Sequence, residues 1–74
     1  MYITTEYRYR VIGIVQTCVN GVWFERGVND GVFAADQQAA RELILHRYHR
    51  AALHNDPLAI TRWHTTELVQ VQLV

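Results

Sequence analysis

The stretch VIGIVQTCVNGVWFERGV, Val11 to Val28, decides the fold. At its centre Asn20-Gly21 separates two runs of β-branched and aromatic residues. A two-residue β-turn of type I′ needs positive φ at both central positions, and Asn-Gly tolerates it best, so the dipeptide predicts a tight hairpin. Before it, residues Glu6 to Val19 read as a strand. Tyr7, Tyr9, Val11 and Val15 fall at period two, and Ile12 and Ile14 lie on the other face. Arg8 and Arg10 sit opposite Tyr7 and Tyr9, so one face is wet near the start. Further along both faces are apolar, which predicts a central strand or one covered on both sides. Gly13 marks a bulge or a close backbone approach. The second strand runs from about Val22 to Val28, with Trp23 on one face and Val22 and Phe24 on the other.

Asn29-Asp30-Gly31 is a second turn signal. Val32 and Phe33 then form a short third strand or the lead-in to a helix. Asp36 is the expected N-cap, and helix formers follow to about His54. Ala40, Leu43, Ile44, Arg47 and Ala51 share a face at helical spacing, with Ala39, Tyr48 and Ala52 beside it. Phe33 or Val32 is placed to close a hydrophobic staple on the first turn. Arg47, Arg50, His46, His49 and His54 gather toward the helix C-terminus, where cations suit the macrodipole. Asn55-Asp56-Pro57 ends the helix, because the residue before proline is pushed out of the α region. From Leu58 to Val74 the chain is β-like again. One long strand kinked by a bulge near Glu67 and Leu68 is favoured over two strands joined at Thr65-Thr66-Glu67. The expectation is an α+β fold: an antiparallel sheet of three to four strands with one α-helix packed on one face, in the order β-β-(β)-α-β.

Seventy-four residues allow one domain, residues 1–74. A chain this short buries only about 60% of its unfolded surface, so its stability is marginal. Cys18 is the sole cysteine, which rules out an internal disulfide and fits a reducing compartment. Self-association, with a homodimer as its simplest form, is one way for so small a domain to gain stability. The opening residues, from Met1 to Arg10, show no signal-peptide pattern, and no apolar run approaches a membrane span. A cytoplasmic location is expected.

Formal net charge is zero. That argues against binding nucleic acid through bulk charge and against mimicry of its phosphate field. All seven positive charges are arginine. A compositional bias is the favoured explanation, and selection for planar contacts at an interface is compatible with it.

Catalytic chemistry is poorly provided for. The chain has no serine, the carboxylates are scattered, and the glycines at 13, 21, 27 and 31 spell no phosphate loop. Cys18 lacks a readable His-Asn arrangement and reads as a packing residue. His46 and His49, spaced i, i+3, can share a metal ion only if the fold brings a third ligand. No catalytic residue, metal site or cofactor is therefore expected. Tyr7, Arg8, Tyr9 and Arg10 interleave aromatics and cations, a pattern that stacks bases and holds phosphates. With Arg41, Arg47 and Arg50 it supports an alternative reading as a small nucleic-acid-binding domain.

Protein binding has the stronger support. Trp, Tyr and Arg anchor interfaces. Trp23, Trp63, Tyr2, Tyr7, Tyr9 and Tyr48 are more than so small a core can hide. The last stretch, LVQVQLV (Leu68 to Val74), has little charge to protect a sheet edge, so it either pairs with a partner or sits inside the sheet. Candidate contacts are Tyr7, Arg8, Tyr9, Arg10, Trp23, Arg47, Arg50 and Trp63. In its size, its hairpin-helix-strand layout over Val11–Val74, its want of catalytic residues and its Tyr, Trp and Arg content, the chain resembles the small phage-encoded anti-CRISPR inhibitors. That resemblance is one of type and not of motif. It implies a non-enzymatic inhibitor, encoded by a phage or mobile element, that occupies a surface of a bacterial nuclease or surveillance complex. Near-zero charge then points to steric blocking or induced assembly.

Overall fold

The computed structural model describes residues 6–71. Three strands and one helix follow in the order β1 (Tyr7–Val19), β2 (Val22–Ala34), α1 (Gln37–Leu53) and β3 (Ile60–Val71). The sheet is antiparallel with strand order β2-β1-β3, so β1 is central. The helix packs on one face, giving the α+β layout that the residues predict. The last stretch forms one strand as far as Val71, and it lies at a sheet edge. The rest of that stretch, 72–74, lies outside the described residues.

The hairpin closes as its dipeptide requires. Asn20 has φ 51° and Gly21 φ 78°, the only positive values among the described residues. Val19 pairs with Val22, and the register then runs unbroken to Tyr7 and Ala34. The second turn expected at Asn29-Asp30-Gly31 does not form; β2 passes straight through it. Two side chains of that tripeptide find partners on opposite faces of an extended strand. Asn29 accepts a hydrogen bond from Arg10 at 2.6 Å, and Asp30 accepts one from Tyr48 at 2.8 Å. Turn-forming residues favour a turn only when no partner strand competes, and β1 offers thirteen residues of pairing. Val32 and Phe33 are thus the end of β2 and not a separate strand.

Asp36 caps the helix by accepting from the Ala39 amide at 2.7 Å. At the far end the amides of Asn55 and Asp56 both reach the Ala52 carbonyl before Pro57. The buried face differs from the expected one. Ala40, Ile44 and Ala52 are buried, with Leu45 and Tyr48 partly so, while Leu43, Arg47 and Ala51 face solvent. Apolar residues occur all round this helix, so their spacing leaves its rotation open. Two contacts settle it: Trp63 donates its indole N–H to the Arg41 carbonyl at 3.3 Å, and Tyr48 bonds Asp30. No staple forms with Phe33, which is 61% exposed on the opposite face of the sheet; Val32 packs into the core instead.

The core lies between helix and sheet. Tyr9, Val11 and Val15 of β1 meet Val28 and Ala34 of β2 beneath Ala40 and Ile44, with Trp63 and Val69 of β3 beside them. Small helix residues at the contact let the helix axis come close to the sheet. The whole molecule measures 43 × 30 × 16 Å, and the short dimension holds one helix and one sheet.

Strand β3 carries two bulges. Its register with β1 slips between Ile12 and Gly13 and again between Ile14 and Val15, leaving Glu67 and then His64 without a partner residue. The first slip falls at the predicted place. Gly13 sits inside this distorted ladder. A Cβ there would lie 2.4 Å from the Thr65 carbonyl oxygen and 3.0 Å from the Trp63 ring. Glycine is needed for this close approach, and not for any unusual φ.

The loop after the helix is tied to the hairpin. The Asp56 carboxylate accepts from the Asn20 amide at 2.8 Å and from the Leu58 amide at 3.0 Å. These two backbone donors hold its pKa below the ordinary carboxylate value.

Gly13→Ala should destabilise the domain by about 1–3 kcal/mol, because the colliding atoms belong to backbone and to a packed indole. Thermal melts read this as a fall of about 4–8 °C per kcal/mol. For Asp56 the folded pKa is lowered, so its contribution is present above the unfolded pKa and fades as pH falls through the folded one. Asp56→Ala should melt lower than wild type at pH 7, and the gap should narrow as pH falls below the ordinary Asp value of about 3.9. A gap that persists unchanged in acid contradicts the assignment.

Candidate functional site

Alternation along β1 sorts its side chains into two sets. Tyr9, Val11 and Val15 go under the helix, while Arg8, Arg10, Ile12, Ile14, Gln16 and Cys18 go to the other face. No described element covers that second face. Its middle is apolar, with Ile12 and Ile14 half-buried only by their strand neighbours. Trp23 and Phe33 of β2 and Ile60 of β3 lie on the same face at 46%, 61% and 56% exposure.

A polar latch crosses all three strands at the hairpin end of this face. Gln16 donates to Glu25 at 2.9 Å and accepts from the Arg62 Nε at 3.0 Å. The Arg62 guanidinium then lies 4.3 Å from the Trp23 ring centroid. A cation–π contact at an exposed site contributes about 0.5–1 kcal/mol, and here it also fixes the orientation of the indole. At the far end Arg10 is held by Asn29, and Arg8 is exposed. Among the described side chains of this face, Arg8, Arg10 and Arg62 outnumber Glu25 around an apolar centre.

The eight sequence candidates do not form one site. Arg8, Arg10 and Trp23 share the open face. Tyr9 is corrected from contact to core: it is 5% accessible, because the strand alternation that exposes Arg8 and Arg10 turns it under the helix. Tyr7 is 49% exposed at the end of the helix side. Trp63 is half-buried, wedged between helix and sheet. Arg47 lies 3.8 Å from Asp30, and Arg50 is exposed on the outer side of the helix. Tyr2 lies outside the described residues. Sequence reading missed Ile12, Ile14, Phe33, Ile60 and Arg62. The alternation already placed the two isoleucines with Arg8 and Arg10. Nothing local placed Arg62 beside Trp23, since that depends on how β3 is set in register against β1.

Grooves run along the helix on both sides. One, of about 460 Å³, is lined by Glu42, Leu45, His46, His49, Ala59, Ile60 and Thr61. His49 Nδ1 shares a hydrogen bond with the Thr61 hydroxyl at 3.1 Å. No cluster of three His, Cys, Asp or Glu side chains able to hold a metal occurs among the described residues. On the other side Tyr48, Asp30, Arg26 and Arg47 gather near β2. Burial, followed by the hydrogen bond to Asp30 and its negative charge, pushes the Tyr48 pKa up. Among the described residues no helix is long and apolar enough to cross a membrane. No family model, curated protein or solved structure matches the chain.

Tyr48→Phe leaves Asp30 with Arg47 alone and should cost about 1–2 kcal/mol, read as a lower melting temperature at neutral pH. Because the folded pKa is raised, the phenol's contribution holds below the unfolded value and is lost as pH rises through the folded one. Wild type and Tyr48→Phe should therefore converge in stability above about pH 10.

Proposed function

We propose that the domain is a non-enzymatic protein-binding module that docks through the open face of its sheet. The observation that supports this most is the half-exposed pair Ile12 and Ile14 at the centre of a face that no described element covers, with Trp23, Phe33 and Ile60 around it. Apolar surface of this kind gains free energy when a partner removes it from water. The arginine excess at the rim selects a protein whose own apolar patch is bordered by Asp and Glu. Trp23 is suited to anchor the contact, since Arg62 already restricts its ring and less freedom is lost on binding.

The nucleic-acid alternative loses much of its basis in the strand geometry. Of the Tyr7, Arg8, Tyr9 and Arg10 pattern that supports it, Tyr9 is buried and Tyr7 lies on the helix side, away from Arg8 and Arg10. The narrower reading, an inhibitor that blocks a bacterial nuclease or surveillance complex, rests on the resemblance in size and layout to anti-CRISPR proteins.

The test compares variants on the two sides of the molecule. Tagged wild type is used to isolate a partner from a bacterial lysate, and binding of the purified partner is then titrated. Ile14→Glu and Arg62→Glu should each weaken it at least tenfold, about 1.4 kcal/mol, while Leu43→Glu on the outer helix surface should not. Equal loss from Leu43→Glu, or retention of nucleic acid with a steep salt dependence, refutes the open-face reading. Expression of the chain in a CRISPR-immune host, followed by plating of the targeted phage, examines the narrower reading. Restored plaques that Ile14→Glu abolishes would support it.

A further inference from the structure

Strand β2 is an edge strand thirteen residues long, and its register with β1 is unbroken. It has neither proline nor lysine nor a bulge against β1, the usual guards of a free edge. Val22, Trp23, Phe24 and Phe33 on this one strand are all among the large hydrophobic side chains left exposed.

About Val28 the sequence of β2 is complementary to its own reverse at the charged and aromatic positions. Outward from that residue, Gly27 mirrors Asn29, Arg26 mirrors Asp30, Phe24 mirrors Val32, and Trp23 mirrors Phe33, while Glu25 meets Gly31. We infer that β2 pairs antiparallel with β2 of a second copy, with Val28 opposite Val28 on the two-fold axis, to give a continuous six-stranded sheet. This register sets Arg26 directly opposite Asp30 of the other copy, and Asp30 opposite its Arg26. On the open face it sets Trp23 against Phe33 twice. Cross-strand pairs of opposite charge and of aromatics are the stabilising ones. Moving the two-fold axis to Arg26 would oppose the two arginines, and moving it to Asp30 would oppose the two aspartates.

Backbone hydrogen bonding agrees with this register. In a two-residue hairpin the flanking pair, Val19 and Val22, exchanges its hydrogen bonds. Even-numbered residues of β2 therefore point their N–H and C=O groups at β1. The groups of Trp23, Glu25, Gly27, Asn29, Gly31 and Phe33 point outward. A two-fold axis at Val28 brings these odd residues opposite odd residues of the second copy, so every outward donor meets an acceptor. It also keeps both helices on one side, and both open faces together on the other. The inference is separable from the foreign partner proposed above: it rests on the β2 edge, and of the open face it uses Trp23 and Phe33 but not Ile12, Ile14 or Arg62.

Sedimentation equilibrium across the micromolar range should give twice the chain mass. Arg26→Asp and Asp30→Arg each place like charges opposite one another and should raise the dimer dissociation constant at least tenfold. Mixed in equal amounts, the two variants should form a dimer again, because the aspartate introduced in one then faces the arginine introduced in the other. Gly27→Pro removes an outward N–H at a position where an added Cβ meets nothing within 4 Å, so it should abolish dimerisation in a variant whose own cooperative melting shows that it still folds. A wild type that stays monomeric overturns the inference. So does a dimer that survives Gly27→Pro, or a mixture that fails to re-pair while both variants remain folded.

Discussion

Strand β1 pairs along both of its edges, and the rest of the domain is positioned by that fact. An antiparallel partner on each side satisfies its backbone groups and holds its side chains in two alternating rows. One row, Tyr9, Val11 and Val15, has a helix to pack against. The other, Arg8, Arg10, Ile12, Ile14 and Gln16, has only its strand neighbours. Fold and candidate function follow from this single asymmetry. The covered row stabilises the domain, and the uncovered row leaves apolar surface in water.

The bulges in β3 are what allow the covered side to close. Trp63 needs room to lie between the helix and the sheet, and it finds that room over Gly13, where a side chain would collide. One slipped residue on each side of the Gly13–Ile14 pair bends β3 enough to bring the indole beneath the helix. Before the bulges, Ile60 to Trp63 run in regular register with β1, and from there Arg62 reaches Trp23 across the open face. Packing on the buried side thus depends on the bulges, and side-chain order on the exposed side depends on the regular register that precedes them.

What could be read in the sequence was whatever is decided by a few adjacent residues. Asn20-Gly21 selects a turn by its own backbone preference, and Asp36 caps by reaching an amide three residues on. Gly13 announced a close approach because glycine inside a strand has few other uses. What could not be read was decided across the fold. Asn29-Asp30-Gly31 has turn chemistry, but a competing thirteen-residue ladder and partners for Asn29 and Asp30 outweigh it. The helix rotation was ambiguous because alanines and leucines surround it, and only Tyr48 and Trp63, through contacts with other elements, choose a face. Tyr9 was misplaced for a related reason. Alternation separates the two rows but does not say which of them the helix covers. Of the candidate site, Arg8, Arg10 and Trp23 were found by residue type, and Arg62 was not, since its neighbours come from a register that no local pattern encodes.

The two sheet edges are not equivalent, and the difference is informative. On β3 the bulges at His64 and Glu67 disrupt the regular spacing that an added strand would need, and Gln37 from the helix occupies the Val69 carbonyl at 3.4 Å. On β2 the spacing is regular, and aromatic side chains stand at both ends. A protein that must avoid pairing would be expected to break such a strand with proline or lysine. Here its only charges are Glu25, Arg26 and Asp30, and two of these become complementary when the strand meets its own copy reversed. Self-complementarity of this kind specifies a register, whereas apolar content alone would favour pairing in any register. Charge in the middle of a sticky edge therefore serves selection more than repulsion, and a small domain with one covered face gains both stability and a wider open face from the same contact.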